Sequence, residues 1–155
     1  MAKSSIGRVL AIALRCRDKG KMNEVSEAAA EEGGGLVGDL TVQPQRGVTL
    51  IAAGQWAEVQ KELDADLPWY TRRANVLVDA ERLGHLIGKE VSIGEVRLKI
   101  EGETRPCDLM DRLHNGLKEA LKPDCRGGVH GRVVQAGTIR VGDAISFCGT
   151  GSYPV

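Results

Sequence analysis

Hydrophobic residues alternate with polar ones most regularly between residues 95 and 100. Val96, Leu98 and Ile100 are separated by charged side chains, and this period of two is typical of a β-strand with one buried face. Gly94 stands just before this run, and the strand-like segment Glu90–Ile93 precedes the glycine. This arrangement favours a tight turn between two strands, so we predict a hairpin over residues 90–100.

Other runs of aliphatic and β-branched residues predict further strands. They cover Ile6–Cys16, Gly47–Ala53, Ala74–Asp79, Val129–Val134 and two short strands within Gly137–Phe147. Apolar residues recur every three or four positions, as in a helix, over Gln55–Leu63, over Glu81–Ile87, and after residue 107 at leucines 109, 113, 117 and 121. The Ala- and Glu-rich segment Asn23–Glu32 is interpreted as a short helix or a mobile acidic segment. Many short strands, glycine turns and a few helices indicate a mostly β (α+β) fold, a small closed or partly open β-barrel.

Length and charge narrow the class of protein. The 155 residues suit a single domain, with a core over about residues 7–147 and a flexible tail at 149–155. Lys plus Arg and Asp plus Glu both number 21, and this neutral balance argues against nucleic-acid binding. No apolar run approaches the roughly 20 residues that span a membrane, and no secretory leader pattern is present. We expect a cytoplasmic protein with neither nucleic-acid nor membrane partners.

Four cysteines are the main candidates for chemistry. Cys16, Cys107, Cys125 and Cys148 form no C-x-x-C pair, and together with three histidines they match no zinc pattern. We expect free thiols in a reducing compartment and no zinc site. Cys16 and Cys148 adjoin predicted strands and are expected to be structural, whereas Cys125 lies in a loop, either as a structural thiol or as a resolving partner of Cys107.

Cys107 has the most distinctive position of the four. Pro106 has no backbone N–H, so the preceding strand should end there, and the leucine-rich helix begins directly afterwards. The unpaired N–H groups and the dipole at a helix start favour a thiolate, and Arg105 adds a positive charge. Such a thiol is a candidate to carry sulfur or to bind a soft metal. The alternative is a small buried hydrophobic side chain.

A set of short motifs resembles one known family. The motifs occur in this order: Gly38-Asp39, Val48-Thr49-Leu50-Ile51, residues 71–79 (TRRANVLVD), Leu86-Ile87-Gly88-Lys89, Ile93-Gly94, Arg105-Pro106-Cys107, Arg126-Gly127-Gly128-Val129 and residues 137–143 (GTIRVGD). Each motif is weak alone, but the ordered set resembles the MOSC domain, the C-terminal domain of molybdenum cofactor sulfurases. The resemblance runs from about residue 7 to residue 147.

The resemblance implies a β-barrel with a reactive cysteine at Cys107 and a link to the molybdenum cofactor, molybdopterin. It implies that Cys107 is either a persulfide carrier or a molybdenum ligand, the latter as in related reductases of N-hydroxylated compounds. No iron–sulfur or aminotransferase-like domain is seen in these 155 residues. We therefore expect a separate partner: a cysteine desulfurase, a molybdoenzyme or an electron donor.

Arg72 and Arg73 precede a predicted strand and are candidates to hold the phosphate that molybdopterin offers. Their side chains should point to opposite faces, so at most one needs to enter the barrel mouth; solvent exposure of both is the alternative. A planar guanidinium suits a phosphate well. Asn75 shares a face with Arg73, and we expect it either to bond the pterin or to cap a turn.

Gly127 and Gly128 form a loop before a strand and allow close backbone approach to an anion, although two glycines there often mean only a turn. Arg105 is either solvated or binds an anionic ligand near Cys107. These residues complete the predicted cofactor site.

A second class of function is left open. Many members of the family have a histidine soon after the aspartate that matches Asp39, whereas Leu40 and Thr41 follow here. This departure favours a non-catalytic β-barrel that binds a small ligand or a protein. In that case Cys107 should be buried and inert.

Overall fold

The fold is built from a closed β-sheet in a computed structural model that describes residues 5–16, 21–40 and 47–148. Within these residues the strands are β1 Ser5–Arg15, β2 Met22–Val25, β3 Glu27–Ala30, β4 Val48–Ala52, β5 Val76–Val78, β6 Glu90–Ile93, β7 Val96–Glu103, β8 Val129–Gln135, β9 Gly137–Arg140 and β10 Ala144–Phe147. The α-helices are α1 Ala53–Leu63, α2 Asp108–Leu113 and α3 Leu117–Leu121, and 3₁₀ helices cover Trp69–Arg72, Gly84–Leu86 and Pro123–Cys125.

Seven strands close into a ring. Their order is β10-β6-β7-β8-β4-β5-β1, and β10 also pairs with β1. The long strand β1 makes this closure possible, because its Ser5–Arg8 part pairs with β10 and its Val9–Ile12 part with β5. Closure leaves no unpaired edge in the ring, which is how small β-barrels avoid edge-to-edge association. The mostly β barrel predicted from the sequence is confirmed, and it is closed.

The interior of the barrel follows from the alternation seen in the sequence. Val96, Leu98 and Ile100 of β7 are all fully buried, and β7 pairs with β6 in the predicted hairpin, from Ile93 opposite Val96 to Glu90 opposite Lys99. Each aliphatic side chain removed from water in this way contributes about 1.5–3 kcal/mol to folding.

The helices form a second layer against one side of the barrel. β4 and β5 are parallel neighbours, and the connection between them contains α1. Trp56 and Val59 of α1 pack with Met110 of α2 and with Leu117 and Leu121 of α3. None of the described helices combines the length and the apolar character needed to cross a membrane.

The interpretation of Asn23–Glu32 as a helix or a mobile segment was wrong. This segment forms β2, which pairs with β1, and β3, which pairs with β9 in a separate two-stranded sheet. Ala28 and Ala30 of β3 are buried and Glu27 is exposed. A partner strand therefore overrides the helical preference of Ala and Glu, because strand formation depends on the surface that the strand packs against.

The single helix predicted after residue 107 is two short helices, α2 and α3. His114 is extended, and Gly116 takes a left-handed φ of 89° between the two. Leu117 and Leu121 are fully buried, whereas Leu113 is 36% exposed. The turn rotates α3 relative to α2, so the four-residue leucine spacing does not mark one continuous face. The predicted tail at 149–155 lies outside the described residues.

Candidate functional site

Cys107 lies where the sequence predicted it, between the end of β7 and the start of α2. It occupies the N-cap position of α2 with an extended backbone (φ −123°, ψ 177°), and its side chain is exposed. An exposed thiol is the opposite of the buried cysteine expected for an inert barrel. The sulfur is therefore accessible to a small reactant.

A pocket with a volume of about 200 Å³ opens beside this thiol. Its lining residues are Arg15, Thr49, Arg72, Arg73, Ala74, Thr104, Arg105, Cys107, Leu109 and Met110. They come from one end of the barrel, where the end of β1, the start of β4, the segment before β5 and the β7–α2 connection meet. The pocket brings together Cys107 and all three arginines that the sequence selected.

Arg73 is the predicted residue that is best placed to bind an anion. It follows the 3₁₀ helix Trp69–Arg72 in a left-handed conformation with a φ of 65°, which is uncommon for a residue other than glycine and is typical of functional sites. Its Nη1 atom is buried and has no hydrogen-bond partner among the described residues. Burial lowers the pKa of the Arg73 guanidinium, and the neighbouring charge of Arg15 lowers it further. A bound anion would favour the charged guanidinium and so offset both effects.

Arg72 points into the protein and holds the pocket wall together. Its Nε donates to the Gly127 carbonyl and its Nη2 to the Thr104 carbonyl, both at 2.9 Å. The residue is 6% exposed. Both arginines line the pocket. The expected opposite directions do not apply, because Arg72 ends a 3₁₀ helix and Arg73 has a left-handed backbone, so neither is part of a strand. Arg72 fixes the segment that leads to Cys107, and Arg73 has a buried donor without a partner among the described residues.

Arg15 was not selected from the sequence, although it also lines the pocket. Its Nη2 donates to Asp39 Oδ2 at 2.7 Å and its Nε to Asp39 Oδ1 at 3.2 Å. The Asp39 side chain is 1% exposed and also accepts the Arg15 backbone N–H at 2.7 Å. Arg15 lies two residues after the buried Ala13, on the same side of β1. Arg15 could therefore have been selected from the sequence as a charged residue on the buried face of a predicted strand.

Thr104 is the second residue that sequence reasoning missed. It is 5% exposed, and its Oγ1 has no hydrogen-bond partner in the described part of the chain. It stands directly after β7, where the backbone leaves the barrel. A buried hydroxyl without a partner is uncommon, and Thr104 lines the same pocket as Arg73.

A family model described as "MOSC domain" matches residues 37–146. The chain belongs to the MOSC domain family. The match contains Arg72, Arg73, Thr104 and Cys107, and it confirms the resemblance that the motifs suggested. Arg15 lies before the matched region, so the MOSC pattern does not include it.

Solved structures show the same fold. YuaD from Bacillus subtilis is 14% identical, with a TM-score of 0.78 over 91% of this chain and 94% of that chain. YiiM from Escherichia coli is 15% identical, with a TM-score of 0.71 over 92% and 70% of the two chains. YiiM from Geobacillus stearothermophilus is 12% identical, with a TM-score of 0.67 over 97% and 77%. At these identities the likeness establishes the fold alone. No curated protein matches the sequence.

Asn75 lies behind the MOSC pocket and is not among its lining residues. Its Oδ1 accepts hydrogen bonds from the backbone N–H and the hydroxyl of Thr49, both at 3.1 Å. Its Nδ2 donates to the Ala13 carbonyl at 3.1 Å. Asn75 is fully buried, so its amide serves to join β1, β4 and the segment before β5.

Gly127 and Gly128 also lie outside the set of lining residues, and close packing explains both. A Cβ at Gly127 would lie 2.5 Å from the Thr104 carbonyl oxygen, and one at Gly128 would lie 2.1 Å from that of Leu50. The glycines allow the loop to pass close to the neighbouring backbone. The group that approaches this loop closely is neighbouring backbone of the protein, whereas the sequence suggested an anion.

The remaining cysteines differ from Cys107 in their surroundings. Cys148 is buried, whereas Cys16 and Cys125 are partly buried. Cys125 packs against Gly84, with its Sγ 3.2 Å from the position of an added Cβ, and burial raises the pKa of its thiol. Neither Cys16 nor Cys125 is among the residues lining the pocket.

The residues around Cys107 suit a metal that is already bound in an organic cofactor better than a metal ion held by protein side chains alone. Within the described ranges, no three His, Cys, Asp or Glu side chains come together as a metal site. One exposed thiol beside buried, unpartnered donors instead suits a ligand with an anionic group and a soft centre. This composition is compatible with the molybdenum cofactor that the family implies.

Proposed function

We propose that this MOSC protein works in molybdenum-cofactor chemistry through Cys107, either as a persulfide carrier or as a molybdenum ligand. The single observation that supports this most is the exposed Cys107 thiol in one pocket with two buried, unpartnered donors, Arg73 Nη1 and Thr104 Oγ1. A buried barrel cysteine with inert surroundings would have neither feature.

The residues have separate roles in this proposal. Arg73 and Thr104 would hold the phosphate of molybdopterin, and Cys107 would contact its molybdenum. The cofactor, when bound, supplies a redox-active metal. Arg72 and Asn75 keep the wall and the barrel end in place through their bonds to backbone groups. Arg105, which is exposed at the pocket rim, adds positive charge where an anion enters.

A sulfur-carrier role requires a donor and an acceptor. A cysteine desulfurase would deliver sulfur to Cys107, and a molybdoenzyme or its cofactor would receive it. A molybdenum-ligand role, including reduction of N-hydroxylated compounds, would need a separate electron donor. Both roles use the same thiol, because a thiolate is a good sulfur nucleophile and a soft metal ligand.

The test is to purify the protein from a host that makes molybdopterin and to measure bound molybdenum and persulfide. We expect one of the two in the parent protein and neither in Cys107→Ala. Cys148→Ala serves as the matched control, because Cys148 is buried and away from the pocket lining. If parent and Cys107→Ala contain neither molybdenum nor persulfide, the non-catalytic barrel is the better description.

A further inference from the structure

The pocket beside Cys107 carries excess positive charge. Its lining residues include four arginines and no acidic side chain within the ranges that the structure covers. Asp39 compensates Arg15 from outside the lining, and Arg72 is bonded to backbone carbonyls. Arg73 and Arg105 remain the cations that face the space next to the thiol, so the pocket is suited to an anion.

The size of the pocket limits what that anion can be. A volume of about 200 Å³ is below the roughly 300–1,000 Å³ of pockets that enclose drug-sized ligands. The space is sufficient for a small anion as a whole, whereas a large cofactor would extend beyond it.

Two donors mark where the anion's oxygens would lie. Thr104 is 95% buried, given its 5% exposure, and both its Oγ1 and Arg73 Nη1 lack a partner in the described residues. Buried polar groups are normally hydrogen-bonded, and an unsatisfied one destabilises the protein. An oxyanion accepts from a hydroxyl and from a guanidinium at once, with charge-assisted bonds.

We propose that the pocket binds a small anionic sulfur donor of the thiosulfate class, with its oxyanion on Thr104 and Arg73 and its outer sulfur toward Cys107. This inference rests on the proposed function, because it requires Cys107 to carry sulfur. It names a small-molecule sulfur donor as an alternative to the cysteine desulfurase. A thiosulfate ion is small, doubly charged and tetrahedral, and it carries a transferable sulfur next to its oxygens.

The transfer step is balanced without any oxidant or reductant. The Cys107 thiolate attacks the outer sulfur of thiosulfate, and a new S–S bond forms to Sγ. The bond between the outer sulfur and the sulfonate sulfur breaks, and sulfite leaves with the electron pair of that bond. Cys107 is left as a persulfide anion, and the departing sulfite keeps its bonds to Thr104 and Arg73.

The experiment incubates the reduced full-length protein with thiosulfate and measures sulfite release together with the intact mass. We expect one sulfite per chain, a mass gain of one sulfur atom, and loss of both in Cys107→Ser. Thr104→Val should lower the rate of loading at low thiosulfate about tenfold to a hundredfold, which corresponds to one hydrogen bond to a charged group. Thr104→Ser keeps the hydroxyl and should retain most of the rate.

Controls separate binding from structure. Arg73→Gln should also slow loading, whereas Arg132→Gln, the same change on the outer barrel wall where Arg132 is half exposed, should not. Thr104→Val should leave the rate of Cys107 alkylation by neutral iodoacetamide unchanged and should not lower the melting temperature, because the lost hydroxyl has no partner.

The outcomes distinguish this inference from the proposed function. If Cys107 accepts sulfur from a cysteine desulfurase with cysteine but not from thiosulfate, the donor class is wrong and the carrier role stands. If Cys107 accepts sulfur from neither source, both the thiosulfate donor and the sulfur-carrier role of Cys107 are wrong. If Thr104→Val and Arg73→Gln load from thiosulfate as fast as the parent, the placement of the oxyanion is wrong.

Discussion

Cys107 and Cys125 are thiols in contrasting surroundings, and their reactivities should differ accordingly. Cys107 is exposed, whereas Cys125 is partly buried. Burial raises the pKa of the Cys125 thiol, and the nearby charges of Glu103 and Asp124 raise it further. A raised pKa leaves a smaller fraction of Cys125 as the nucleophilic thiolate at neutral pH. We expect iodoacetamide at neutral pH to modify Cys107 at least about tenfold faster than Cys125.

Peptide mapping by mass spectrometry over a time course measures the two rates in the same sample. Denatured protein is the control, because both cysteines should then react at similar rates. Faster modification of Cys125 than of Cys107 in the folded protein would contradict the assignment of Cys107 as the reactive thiol.

Single residues were predictable where their local context was informative. Cys107 could be found because Pro106 and the following leucines define the end of a strand and the start of a helix. Arg15 and Thr104 could not be found in this way, because their roles depend on which distant segments meet at the barrel end. Asn75 was selected for its position near Arg73, but its burial, with partners on β1 and β4, is visible only in three dimensions.

At the scale of elements, the loop before β8 depends on Gly128. Gly128 has a φ of 95°, and an added Cβ would meet the Leu50 carbonyl oxygen of β4 at 2.1 Å. Gly142 has a nearly identical φ of 96° and nothing within 4 Å of an added Cβ. Gly142→Ala should therefore cost only backbone strain, about 1–2 kcal/mol, whereas Gly128→Ala should cost clearly more because the β4 and β8 backbones must separate.

Urea unfolding of both variants, followed by circular dichroism, measures the difference in the free energy of unfolding. Equal destabilisation of Gly128→Ala and Gly142→Ala would mean that the loop before β8 moves freely and does not set the pocket wall. The comparison removes the φ contribution, since that contribution is nearly the same in both variants.

Helices and strands were predictable from the sequence when they bury one face and expose the other. The alternation of β7 and the spacing of α1 gave correct elements because each has one buried side. β3 was missed because its four residues are helix formers that become a strand only against β9. The leucines after Cys107 wrongly predicted one continuous helix, because their four-residue spacing continues unchanged across the turn at Gly116.

At the scale of the whole molecule, the candidate site depends on barrel closure. Arg15, Arg73 and Thr104 are far apart in the sequence, and they meet because β1, β5 and β7 have ends at the same side of the ring. The barrel class was predictable from many short strands and from the MOSC motifs. The strand order was not, because β-branched runs do not encode which strands are neighbours.

The Arg15–Asp39 ion pair joins the end of β1 to the segment that follows β3, and its removal should affect the whole molecule. Asp39 accepts three hydrogen bonds from Arg15. The two side chains are 16% and 1% exposed.

Asp39→Asn should lower the free energy of unfolding by about 3 kcal/mol, the lower end of the range for breaking a buried pair, since Arg15 keeps some contact with water. Glu27→Gln is the control, because the Arg140–Glu27 pair is exposed and should contribute at most about 1 kcal/mol. A double-mutant cycle with Arg15→Gln isolates the coupling between the two side chains. A coupling energy near zero would show that Asp39 does not position Arg15, and the cationic wall of the pocket would then need another explanation.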